Sequence, residues 1–440
     1  MPDFAVSSDP AVQRQLDRLA TLSPGADILG LERISVLLER LGNPHRRLPP
    51  VFHVAGTNGK GSTCAFLRAA IEASGRKVHV YTSPHLVRFN ERIRIAGQLI
   101  EDSLLASLLA EVLDISDGIS PSFFEVTTAA AFLAFERHAA DAAIIEVGLG
   151  GRLDATNVLE KPVVCGIAQL GIDHQAFLGD RIEQIAAEKA GIAKQGVPLV
   201  THHYPASQGN EIGRAARAVG ALWLEKGGVW DASPYRGKLH YRDEQGELEL
   251  PLPRLPGAHQ ATNAALAVAM LRHQTAIEVP LASLRAAMGW AEWPARLQRL
   301  ADGPLPALLP EGSEMWLDGG HNPAAGRAIA DFFRARLAPG RPFRLILGML
   351  ANKDLRGFLE PFAGSGIEII AVPVPGHEHH HAAAVRAAAE TLGLTATSAA
   401  NAQAALAQIA AEKGVAPLVL IGGSLYLAGT VLEANGTPPT

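Results

Sequence analysis

Cysteine is nearly missing from this chain. Cys64 and Cys165 are the only two in 440 residues, too few for a disulfide framework, and such sparing use suits a reducing compartment. A basic excess is missing too: 39 Lys and Arg stand against 44 Asp and Glu, a net charge of −5, so no footprint for nucleic acid exists. Long hydrophobic runs are absent, because the apolar stretches are strand-length and bounded by charges or glycines, far short of a membrane span. No leader pattern opens the chain; Asp3, Asp9, Pro10 and Arg14 interrupt its start. There is no internal repeat. The expected compartment is the cytoplasm, with neither a nucleic-acid nor a membrane partner. What remains is an ordinary globular balance of 48% hydrophobic and 19% charged residues, at a length that calls for two domains.

Short apolar runs alternate with helical stretches, the rhythm of an α/β protein with a mainly parallel sheet. Strands are expected at Val51–Ala55, Val78–Tyr81, Ala142–Val147, Val163–Ile167 and Pro198–Thr201, with helices at Thr63–Ser74, Glu125–His138 and Arg181–Lys194 between them. From Trp230 to Leu255 short alternating pieces with turns predict a small antiparallel excursion, and Gln260–Gln274 predicts a helix. A linker is expected at Gly289–Pro294. The rhythm then resumes at Met315–Leu317, Phe343–Leu347, Ile367–Val372 and Leu418–Ile421. The expected domains are 1–293, a P-loop-type ATPase domain, and 294–440, a smaller Rossmann-like α/β domain.

The strongest local signal is Val54-Ala-Gly-Thr-Asn-Gly-Lys-Gly-Ser62, between an apolar strand and a helix. Gly56, Gly59 and Gly61 would let backbone N–H groups fold around phosphate, and the helix N-terminus would add partial positive charge. Lys60 would reach the terminal phosphates, and Ser62 or Thr63 a magnesium ion. The match to G-x-x-x-x-G-K-[ST] is imperfect: Val54 stands at the first glycine, and Gly61 separates lysine from hydroxyl. The competing reading is a plain glycine-rich strand-to-helix turn. Ser83, Glu146, His174 and Asp318 all follow apolar runs closely, and in open α/β sheets ligands bind beyond the carboxyl ends of strands. Polar residues also mark any strand end, so each one alone decides little; together they point to a magnesium–nucleotide site.

Gly148-Leu-Gly-Gly-Arg-Leu-Asp154 has neither the spacing of a dinucleotide fingerprint nor the ribose-binding acid. Its glycines are expected to admit a ligand closely, with Arg152 and Asp154 facing it. The run His377-Glu-His-His-His381 sits in a Gly/Pro-rich loop and reads as solvated rather than as a metal site, since consecutive histidines rarely converge on one ion. Cys64 reads as a small buried side chain.

Several ordered stretches together resemble the bacterial folylpolyglutamate synthase/dihydrofolate synthase enzymes, of the Mur-ligase type. They are Leu29-Gly-Leu-Glu-Arg33, Val54–Thr63, Tyr81-Thr-Ser-Pro-His-Leu-Val-Arg88, Asn90-Glu-Arg-Ile93, Phe123-Phe-Glu125, Glu146–Asn157, Ile172-Asp-His174 and Glu188-Lys-Ala-Gly-Ile192. Further on come Pro294-Ala-Arg-Leu-Gln298, Leu317-Asp-Gly-Gly-His-Asn-Pro323 and Gly348-Met-Leu-Ala-Asn-Lys-Asp354. The resemblance implies that Thr57, Asn58, Gly59, Lys60, Gly61 and Ser62 cradle ATP, with Asn263, Arg296 and Asp318 as further nucleotide contacts and ATP between the domains. It implies Ser83, Glu146 and His174 as ligands of two Mg2+ ions, and Lys189 as a lysine that becomes carbamylated. The pterin-side pocket would use Leu29, Gly30, Ser122, Phe123, Phe124, Arg152 and Asp154. Lys60, Glu146, His174 and Lys189 would carry catalysis. Residues Pro256–Thr262 before Asn263, and Gly319-Gly320, depart from the pattern and leave substrate preference open.

The implied activity is ATP-dependent joining of L-glutamate to dihydropteroate, to the glutamate tail of reduced folates, or to both, by a monomer. A ligase of the same type acting on a cell-wall precursor is one alternative, and a P-loop ATPase switch another. A switch hydrolyses ATP without an amino acid, whereas a ligase releases ADP only with both carboxylate and amine present.

Overall fold

The computed structural model describes residues 5–22, 29–412 and 414–440; the first four residues, part of the opening stretch read above, lie outside it. The chain divides into two compact units, one of residues 1–254, 260–292 and 440, the other of 255–259 and 293–439. The segment 255–259 therefore goes with the second unit, and Gly289 and Trp290, placed above in a linker, complete the helix Leu281–Trp290.

The first unit is built on eight strands: β1 (Val51–Ala55), β2 (Val78–Tyr81), β3 (Ile93–Ile95), β4 (Gln98–Leu99), β5 (Ala142–Glu146), β6 (Val164–Ile167), β7 (Pro198–Thr201) and β8 (Leu222–Glu225). Their order is β4-β3-β2-β5-β1-β6-β7-β8. All neighbours are parallel except those of β3, which runs antiparallel to β2 and β4. β1, β2, β5 and β6 are buried at every position, which is why they read as unbroken apolar runs. β3, β4 and β8 are short and partly exposed, and propensity alone does not reveal them. The expected antiparallel excursion is a three-stranded sheet, β9 (Asp231–Tyr235), β10 (Lys238–Asp243) and β11 (Gly246–Pro251), in the order β11-β10-β9.

The second unit carries β12 (Gln298–Leu300), β13 (Glu314–Asp318), β14 (Phe343–Leu347), β15 (Glu368–Ala371), β16 (Thr395–Ser398) and β17 (Leu418–Gly422). Their order is β12-β13-β17-β14-β15-β16, parallel except for the β12–β13 pair. The fold is thus α/β with two mainly parallel sheets, as the alternating rhythm predicts.

Helix boundaries shift by up to a turn from the sequence expectation. The helix after β1 is Lys60–Ala73, so the loop lysine is its first residue. The next begins at Phe123 because Ser122 Oγ accepts from Glu125 N while Glu125 Oε2 accepts from Ser122 N, a reciprocal cap. The helix expected over Arg181–Lys194 is Ile182–Ala190, and Gly191 ends it.

One residue breaks the apolar pattern of β1. His53 is fully buried, and burial first, then the Lys194 charge, lowers its pKa to about 3. The unfolded chain binds a proton near the ordinary 6.5, so this contribution to stability is complete above about pH 6.5 and is lost as pH falls toward 3. Urea unfolding at pH 6.5 and pH 4.5 should show a loss approaching about 1.4 kcal/mol per pH unit from this group, which His53→Leu should remove. An equal acid loss in both proteins would contradict it.

Candidate active site

The site is assembled at the carboxyl edge of β2, β5, β1 and β6, four adjacent parallel strands. Their register puts Val54 of β1 across from Glu146 of β5 and Gly166 of β6, and Tyr81 of β2 across from Ile145. The chain leaves β1 into the loop Gly56–Gly59, leaves β2 toward Ser83, and leaves β6 toward His174. Three of the four strand-end groups predicted together therefore share one edge. The fourth, Asp318, ends β13 in the second unit.

The phosphate loop has the conformation its glycines permit. Gly56 and Gly59 adopt φ of +146° and +85°; a Cβ on Gly59 would overlap the Asn263 amide, and one on Gly56 would meet Ala168. The helix Ala258–Arg272 places Asn263 there, buried, with its Nδ2 donating to Gln260 Oε1 at 3.0 Å. The N–H groups of Thr57 and Asn58 donate to Gln169 O at 2.8 and 3.1 Å, and Thr57 Oγ1 bonds the backbone of Gly171. Thr57 and Asn58 thus shape the loop through their backbones. The N–H groups of Lys60, Gly61 and Ser62 form the first helical turn, where an α-helix supplies no internal acceptor. Gln169 was not singled out in the sequence; a glutamine two residues past a buried strand was its only signal.

Charge at this edge is dense and poorly hydrated. Glu146 is 4% exposed, and Lys60 Nζ lies 3.8 Å from its Oε1. Lys189, on the helix Ile182–Ala190, is also 4% exposed. Burial first, then Lys60, lowers its pKa to about 7, while Asp173, Asp154 and Glu188 act in the opposite sense. A lysine on a helix is usually a surface residue; Lys189 is instead buried within electrostatic reach of Lys60. His174 is exposed, with a left-handed backbone at φ +53°, and Ser83 is half-buried. Among the described residues no group of three or more His, Cys, Asp and Glu side chains is arranged to hold a metal. The hydroxyl of Ser83, the carboxylate of Glu146 and the imidazole of His174 are nevertheless an oxygen-rich choice of donors, the kind that suits magnesium alongside phosphate and water oxygens. Cys64 is buried, and burial raises its thiol pKa well above the ordinary value, so it is inert.

The glycines of 148–151 make close approaches to protein rather than open a gap. A Cβ on Gly148 would strike the Phe124 ring, and one on Gly151 would lie 2.7 Å from Glu188 O. Arg152 Nε and Nη2 donate to Glu188 Oε1 at 3.0 and 2.8 Å from an exposed position. Asp154 is 2% exposed; Oδ2 accepts from Leu149 N at 2.8 Å, and Oδ1 from Thr156 N at 3.0 Å and Thr156 Oγ1 at 2.5 Å. It holds its own loop. Leu29 and Gly30 are half-buried, Phe123 is buried, and Ser122 caps its helix. Arg33 and Glu125, to which no role fell in the sequence, pair at 3.0 Å behind Ser122.

In the second unit Asp318 accepts from Leu297 N and Gly320 N, both at 2.7 Å, and Arg296 Nη1 donates to Ala295 O at 2.9 Å. Asn322 caps the helix Pro323–Arg334. The histidine run is not simply solvated. His377 stacks on Tyr426 with centroids 3.8 Å apart, and His380 Nε2 lies 2.9 Å from Lys353 O, fastening the run to the helix Leu425–Ala434 and to the loop after β14.

Comparison with known proteins bears on this arrangement. No family model matches the chain. The dihydrofolate synthase/folylpolyglutamate synthase of Escherichia coli K12 is 38% identical over 332 residues, 75% of this chain and 74% of that protein. The solved structure of Escherichia coli FolC in complex with DHPP and ADP superposes with a TM-score of 0.85 at 34% identity, covering 97% of both chains. A bifunctional folylpolyglutamate synthase/dihydrofolate synthase with Mn, AMPPNP and L-glutamate bound gives 0.84 at 30% identity, covering 97% of this chain and 99% of that one. With its phosphate loop, buried lysine and two mainly parallel sheets, the chain belongs to the folylpolyglutamate synthase/dihydrofolate synthase family of ATP-dependent glutamate ligases.

Proposed function

We propose that this enzyme joins L-glutamate to dihydropteroate, to the γ-glutamyl tail of reduced folates, or to both, as a cytoplasmic monomer. The observation that carries this reading is the meeting of Lys60, Glu146 and Lys189 at one buried strand edge beneath a phosphate loop. Residues 1–293 would bind ATP and 294–440 would serve glutamate ligation, with Asn263, Arg296 and Asp318 as nucleotide contacts. Leu29, Gly30, Ser122, Phe123, Phe124, Arg152 and Asp154 would form the folate side.

The substrate carboxylate attacks the γ-phosphorus as the bond to the β–γ bridging oxygen breaks, giving an acyl phosphate and ADP. The neutral glutamate amine then attacks the acyl carbon; phosphate leaves, and the nitrogen gives up a proton. Ser83, Glu146 and His174 would hold magnesium, two ions in this reading, which would supply neutralisation of phosphate charge. Lys60 adds a point charge at the terminal phosphates, and the first-turn N–H groups orient them. Lys189 cannot remain a cation beside metal ions and Lys60 without repulsion. A neutral Lys189 amine can add CO2 and give up a proton, and the resulting carbamate would turn that repulsion into attraction.

The whole reading is tested by product mass spectrometry with ATP, glutamate and either dihydropteroate or tetrahydrofolate. One added glutamyl residue, with ADP released only when both acceptor and glutamate are present, is expected. ADP release without either would favour a switch. Lys60→Ala leaves Glu146 without its cation at 3.8 Å; in protein whose circular dichroism is native, it should lose at least about a hundredfold in turnover, the scale of one preorganised charge contact. Near-normal ligation by the folded variant would remove the phosphate-loop assignment. Lys189→Ala should be nearly inactive and regain part of its rate on addition of formate or acetate, which can occupy the anionic position. Full activity of that variant in CO2-depleted buffer would leave the carbamate without support.

A further inference from the structure

Beneath the folate-side loop lies a buried polar chain that the reaction as described does not use. His53 sits third in β1, among positions that are all buried. Its Nε2 is 2.9 Å from Thr156 Oγ1, Thr156 Oγ1 is 2.5 Å from Asp154 Oδ1, and Asp154 Oδ2 accepts from Leu149 N. His53 Nδ1 is buried with no hydrogen-bond partner.

Proton counting sets the direction of this chain. Burial pushes the Asp154 pKa up, but the carboxyl accepts backbone N–H groups from both Leu149 and Thr156, and such donors favour the ionised form. An ionised Asp154 has no proton to give, so the single proton of Thr156 Oγ1 must point at it. Thr156 Oγ1 then has only lone pairs left for His53, and the imidazole must carry its proton on Nε2. The reverse arrangement, with Asp154 protonated and Nδ1 bearing the hydrogen, would set the carboxyl against two N–H donors and bury an unpartnered N–H. Hydrogen bonds in series polarise one another, so a donating His53 makes Thr156 a stronger donor to Asp154.

We infer that His53 is a positioning residue for the folate side: acting through Thr156, it holds Asp154 as an ionised, acceptor-only carboxylate that fastens the loop from Leu149 to Thr156, and with that loop the folate-side residues it carries. This rests on the folate-side placement of Asp154 proposed above.

The test compares His53→Leu, which removes the donor, with His53→Gln, whose amide can restore an N–H near the Nε2 position. Steady-state kinetics on the full chain should show the dihydropteroate KM rising about two- to tenfold in His53→Leu, the scale of one buried hydrogen bond. The ATP KM should hold, and His53→Gln should recover most of the loss. Thr156→Val should raise the same KM, and adding His53→Leu to it should raise it no further. In the wild type, ¹⁵N NMR should show a neutral Nε2–H imidazole, a readout that survives even if the leucine variant does not fold. An Nδ1–H tautomer, an unchanged dihydropteroate KM, or a parallel rise in both KM values would overturn the inference. Asp154→Asn separates the two levels: if it raises the dihydropteroate KM while His53→Leu does not, only the His53 relay fails; if it leaves that KM unchanged, the folate-side placement fails and takes the relay with it.

Discussion

Charge held at the edge of a nearly dry sheet governs this molecule. Glu146 ends β5 at 4% exposure with Lys60 3.8 Å away, and Lys189 is equally buried within reach of Lys60. A carboxylate in such surroundings needs a cation, and two lysines near each other need an anion. A magnesium–nucleotide complex supplies both signs at one place. On the function proposed, the loop glycines, the Asn263 contact and the backbone bonds to Gln169 would place phosphate beside those charges.

Much of the first unit's architecture was legible because parallel strands buried on both faces leave unmistakable apolar runs. Val51–Ala55, Val78–Tyr81 and Pro198–Thr201 match strand for strand. The edge strands β4 and β16, and β3 beside β4, were not legible, being short and half polar; such a strand is defined by its neighbour more than by its own composition. Helix starts moved because the Ser122–Glu125 cap and the loop geometry at Lys60 set them, and propensity does not.

At the site, sequence order could not say what approaches a glycine. Gly148 and Gly151 admit Phe124 and the helix carrying Lys189, partners at opposite ends of a long stretch of chain. For the same reason sequence order could not show that the Asp154 oxygens hold three donors from its own loop. His53 passed unnoticed as one polar letter in a strand, and only the distance to Thr156 gives it a part. The histidine run looked solvated because its anchor, Tyr426, lies 45 or more residues further on. Lys189 was legible through family resemblance alone, and its burial is the structure's addition.

The central claim is that the ends of β2, β5 and β6 converge on magnesium beside the phosphate loop. A crystal structure of this chain with a non-hydrolysable ATP analogue and Mg2+ tests it most directly. The account predicts a metal about 2.0–2.1 Å from ligand atoms of at least two of Ser83, Glu146 and His174, with the terminal phosphates at Lys60. A metal-bound structure in which those three side chains point elsewhere would contradict it.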